Sequence, residues 1–213
     1  MKNYSFKKSQ YIAFILNLTI LMFEIVGLIL SIQHYKFKVF QFFTEISNYL
    51  ALIISLIFCL ISALSLKKSC QIPKWVHFLR YTATVCLSLT FIVILCVLSP
   101  LYPDKFVYWM FTGSGIFHHT LCPLLSIISF VFFENYHQLK KKSIFLSLTP
   151  SLIYGIICIL LNILEALTGP YPFFYVRELP LYVSIPSLLG VVLCTLAISF
   201  ALYKINNKRS REV

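Results

Sequence analysis

Long apolar stretches alternate with short polar ones along the whole chain. Six apolar runs, at roughly 11–33, 42–66, 79–101, 107–133, 144–167 and 180–203, each reach the ~20 residues that a helix needs to cross ~30 Å of hydrocarbon. The pattern predicts an all-α fold, a six-transmembrane-helix bundle. Connections of about 8 to 14 residues leave no room for a soluble domain, and no Gly/Ser-rich or low-complexity tract divides the chain. Residues 1–213 therefore read as a single polytopic membrane domain. The first run follows Lys7 and Lys8 as a signal peptide would, but it continues past ~20 residues with no small-residue cleavage site before His34, so it counts as the first helix.

Composition agrees with the pattern, because 59% hydrophobic and 12% charged residues supply too little polar surface for a soluble domain of 213 residues. The net charge of +11 is divided among short connections instead of gathered on one face, which speaks against nucleic acid as a partner and for the bilayer, with some affinity for anionic headgroups. Most of the 18 Lys and Arg fall at the amino-terminus (Lys2, Lys7, Lys8), in the 67–80 and 134–143 connections and in the carboxy-terminal tail. The other connections hold Lys36, Lys38, Lys105 and Arg177. This bias predicts that both termini are cytoplasmic. The Lys-, Ile- and Phe-rich composition suggests an integral multi-pass protein of a bacterial cell (plasma) membrane. The seven cysteines show no C-x-x-C spacing and read as small buried apolar residues, without a disulfide. No H-x-x-x-H pair occurs, so neither a metal nor a cofactor is expected.

The polar residues inside the apolar runs carry any chemistry. In the first helix Asn17, Glu24 and Ser31 recur every seven residues, which sets them on one stripe expected to face the interior, with Glu24 protonated or hydrogen-bonded. The second opens FQFFTEISNYL, residues 40–50, where Thr44, Ser47 and Asn48 share one face and Glu45 is expected to point elsewhere. That cluster suits helix capping and interhelical hydrogen bonding, or a Thr44 nucleophile served by a nearby base. The fourth carries GSGIFHHTLCP, residues 113–123. Adjacent helical residues diverge by ~100°, so one of His118 and His119 should face a cavity while the other packs between helices. Gly115 and Pro123, one turn to either side of His119, point to a close neighbour or a kink. The fifth ends with Asn162 and Glu165, followed by TGPYPFFYVRELP, residues 168–180, whose aromatic character suggests a segment folded back over the bundle mouth. At ~1.5 Å per residue, Glu24, Thr44, His119 and Glu165 fall within roughly 10–12 Å of the same boundary, which predicts a polar chamber in the outer half of the bilayer.

FFTEISNYL, HHTLCP and TGPYPFFYV, in that order and spacing, resemble the androgen-induced-gene and androgen-dependent-TFPI-regulating family of multipass proteins, and more closely its bacterial relatives labelled Pr-six-Pr membrane proteins. The resemblance runs from about residue 10 to residue 203. It implies a threonine hydrolase cleaving fatty acyl esters, with Thr44 as nucleophile and a helix-4 histidine as base. The family histidine stands five residues before the proline and directly before a threonine; here His118 has the first relation and His119 the second. His119 is the favoured base and His118 the alternative. In this scheme Asn48 or a backbone N–H would stabilise the oxyanion, and Glu24 or Glu165 would orient the imidazole. The competing expectation is a non-enzymatic bundle, a carrier or lipid-binding protein, using the same polar layer for a ligand or protons. No convincing repeat between residues 1–104 and 105–213 favours a carrier.

Overall fold

The computed structural model describes residues 2–68 and 70–212. Their regular structure is all helical, without strands, and six helices are long and apolar enough to cross a membrane. Their bounds define the elements: α1, Lys2–Tyr35; α2, Phe43–Lys68; α3, Lys74–Leu101; α4, a short helix at Phe106–Phe111; α5, Ile116–Phe133; α6, Lys142–Ile163; and α7, Leu181–Glu212.

The interior of the bundle takes polar as well as apolar side chains. On α1 the heptad-spaced Gln10, Asn17, Glu24 and Ser31 are all buried, while Tyr11, Ile15, Met22 and Ile29 on the opposite face are exposed. A lipid-facing helix gains nothing by hiding leucine from hydrocarbon, so its polar side chains take the interior where they find partners. The most enclosed helix is α3, whereas α6 and α7 are peripheral, with most of their apolar surface outward.

Two interior features hold the bundle. At one end, Arg80 of α3 and Glu134 at the end of α5 form a fully buried ion pair, N to O 3.0 Å. The Glu134 carboxylate also accepts from Ser129 Oγ at 2.7 Å and from Asn17 Nδ2 at 2.9 Å, and Arg80 lies 5.8 Å from the centre of the Phe58 ring. Buried charge is tolerated only when paired and further hydrogen-bonded, and this network meets both conditions. At the other end, Phe43, Tyr154, Tyr171, Phe173 and Phe174 form an aromatic core, so the 168–180 connection is folded back onto the bundle, as its composition suggests.

Two sequence expectations need correction. Arg80, grouped with the basic connection at 67–80, is inside α3, fully buried and paired with Glu134, so it is not one of that connection's cations. The fourth apolar run is not one helix over 107–133. It breaks after Phe111, with Gly113 in the left-handed region at φ +55°, and resumes at Ile116. Ser9 Oγ donates to the Phe133 carbonyl and Asn206 Nδ2 to the His137 carbonyl, so the starts of α1 and the ends of α7 meet at the same end of the bundle.

Candidate functional site

The first turns of α5 are built as a wide π turn over Ile116–Leu121, which carries His118 and His119. Such turns insert an extra residue and redirect the side chains around it. The short helix α4 is stitched to this turn by two hydrogen bonds. His119 Nδ1 lies 2.8 Å from the Trp109 carbonyl oxygen, and Thr120 Oγ1 donates to the Met110 carbonyl at 2.7 Å. The break at Gly113–Gly115 makes the approach possible, because a Cβ on Gly115 would run into the Trp109 carbonyl oxygen.

A carbonyl only accepts, so His119 Nδ1 carries the proton and Nε2 is left with its lone pair. Among the described residues Nε2 has no hydrogen-bond partner. His119 lines a cavity of about 580 Å³ together with Thr44, Glu45, Trp109 and Tyr171. Aromatic side chains form much of its lining, and two of the lining residues, Tyr108 and His34, are 3.1 Å apart through Oη and Nε2.

Thr44, in the first turn of α2, is held by the 168–180 connection. Its backbone N–H donates to Tyr171 Oη at 3.2 Å, and the Tyr171 hydroxyl donates to Thr44 Oγ1 at 3.4 Å. Burial pushes the Tyr171 hydroxyl up to about 12, which keeps it a donor at neutral pH. With one lone pair accepting from Tyr171, Thr44 retains its own O–H to donate elsewhere. No hydrogen bond joins Thr44 to His119 among the described residues; what they share is the cavity wall.

His118 has the other role that its neighbour's position left for it. It is fully buried, its ring seated on Gly27 of α1, where a Cβ would overlap the imidazole. Nδ1 lies 3.1 Å from Glu45 Oε2 and Nε2 3.5 Å from Glu24 Oε2. Neither contact meets the alignment of a hydrogen bond; the three side chains are close neighbours in the interior. They bring α1, α2 and α5 together, with Glu45 also on the cavity wall.

The other expected members fall differently. Asn48 is fully buried, and its amide donates to the Thr44 carbonyl and, at 3.2 Å, to the His118 carbonyl; it is an interhelical tie away from the cavity wall. Glu24 contacts His118 and not His119. Glu165 does not join the layer: it sits past the end of α6 at φ 61°, largely exposed, paired with Arg177 at 2.8 Å. A helix that ends at Ile163 cannot carry residue 165 on its inner face. Glu45, expected to point elsewhere, is buried and lines the cavity, because α2 is surrounded on all sides at this depth. An intramembrane carboxylate was itself the signal for Glu45. Tyr171 and Gly27 had no signal of their own, since both depend on long-range packing.

Among the described residues no three His, Cys, Asp or Glu side chains converge as a metal site. Neither a family model, nor a curated protein, nor a solved structure matches this chain.

Proposed function

We propose that this chain is an intramembrane threonine hydrolase that cleaves a lipid (fatty acyl) ester in the cavity between α1, α2, α4 and α5. One observation carries the reading: Thr44 and His119 line the same cavity, with the His119 tautomer set by the Trp109 carbonyl so that Nε2 keeps its lone pair. Nε2 accepts the Thr44 proton as Oγ1 attacks the ester carbonyl. The imidazolium returns that proton to the leaving alkoxide as the C–O bond breaks, which leaves an acyl-threonine. Water, deprotonated by Nε2, then attacks the acyl carbonyl, releasing the fatty acid and restoring the Thr44 hydroxyl. The Tyr171 O–H, already directed at Oγ1, steadies negative charge there. Glu165 has no part in this scheme, and the Trp109 carbonyl takes the orienting role that an acidic residue has in other triads.

The test is hydrolysis of a panel of long-chain fatty acyl esters by the purified protein in detergent. Wild type should turn over at least one ester, and Thr44→Ala and His119→Ala should each lose that activity while eluting as folded protein. Activity that survives Thr44→Ala removes the proposal. A second reading, a non-enzymatic bundle that binds a ligand or protons, draws on the buried Glu24, His118 and Glu45 cluster. It predicts ester-inactive wild type and a binding activity abolished by Glu45→Gln.

A further inference from the structure

A second cavity lies away from this site, between α6 and α7. It measures about 920 Å³ and its walls are apolar, with Leu196 and Phe200 of α7 among them. Its rim is cationic. Lys204, Lys208 and Arg211 follow one another by four and three residues on the same face of α7, and Lys141 at the start of α6 closes the rim from the other side. All four are exposed, and among the described residues none has a carboxylate within ion-pair distance. Lys204 Nζ sits 5.3 Å from the centre of the Phe200 ring, so charge succeeds apolar surface within one helical turn. That order along one stripe is the order of a bilayer leaflet read from acyl chains to headgroup.

We propose that this groove seats an anionic glycerophospholipid, its acyl chain against the Leu196 and Phe200 wall and its phosphate among the four cations. The charge complementarity selects the ligand: four cations, none with a carboxylate within ion-pair distance among the described residues, favour net negative headgroups over zwitterionic ones. The apolar walls select a lipid over a free phosphate, which would have no use for them.

Native mass spectrometry of the detergent-purified protein tests this, with phosphatidylglycerol and phosphatidylcholine of identical acyl chains as probes. Wild type should retain phosphatidylglycerol at least about tenfold more than phosphatidylcholine, and Lys204→Ala with Lys208→Ala should remove the preference. Lys67→Ala with Lys68→Ala, a charge-matched exposed pair at the end of α2, should keep it. Leu196→Trp should lower phosphatidylglycerol retention with every charge in place, because it fills the acyl wall. Equal retention of the two lipids, a preference that survives the Lys204/Lys208 pair, equal loss in the Lys67/Lys68 pair, or no effect of Leu196→Trp would each overturn the proposal.

Discussion

The imidazole of His119 is tied through Nδ1 to the Trp109 carbonyl oxygen at 2.8 Å, and that single contact decides which nitrogen keeps its lone pair. It depends on Gly115, whose missing Cβ is what lets the carbonyl in. Gly115→Ala should therefore displace Trp109 and loosen His119 without touching either side chain. Misplacement of a catalytic group by ~1 Å costs up to ~100-fold, and a loss of that order in ester turnover, with gel-filtration behaviour retained, is the expected outcome. Wild-type turnover in Gly115→Ala would show that the tether is idle.

Tyr171→Phe removes the hydrogen bonds to Thr44 from both its N–H and its Oγ1. Hydrogen bonds to a charged group contribute about 1.5–3 kcal/mol, so turnover should drop roughly ten- to a hundredfold, as steady-state kinetics would reveal. The fall should appear in kcat more than in KM, since the Oγ1 bond strengthens only when charge develops.

Gly27 and His118 are coupled by contact. Gly27→Ala should lower thermal stability by about 1–3 kcal/mol, the usual cost of forcing a side chain into filled space. Combining it with His118→Ala should give less than the sum of the single effects, measured by thermal unfolding in detergent. Strict additivity would place the ring away from α1.

Arg80→Met alone should be strongly destabilising, about 3–5 kcal/mol, because it strands Glu134 as a buried unpaired charge. Arg80→Met with Glu134→Leu should recover part of that loss. The exposed Glu165–Arg177 pair gives the contrast: Glu165→Ala should change stability by about 0–1 kcal/mol and leave turnover unchanged.

Much of the fold was legible in the sequence because the bilayer imposes a simple rule on apolar run length, and six runs yield six helices. The α1 stripe was legible for the same reason, as heptad spacing alone places Asn17, Glu24 and Ser31 on one face. The His118 and His119 pair separated as helical geometry requires, one to the cavity wall and one between helices. What stayed hidden was set by the chain leaving the regular helix. Glu165 was placed by counting along a helix that stops before it, and the break at Gly113 turned one expected span into α4 and α5. Arg80 was hidden because its partner, Glu134, is 54 residues away in the sequence. Tyr171 reaches Thr44 across 127 residues, and no local pattern encodes such a pairing.

The most direct measurement is the position of covalent modification after treatment of the purified protein with a fluorophosphonate probe. The expected result is a single adduct on Thr44, mapped by tandem mass spectrometry, that forms in wild type and His118→Ala and is lost in His119→Ala. An adduct on any other residue, or a folded wild type that forms none, would contradict an activated threonine at this site.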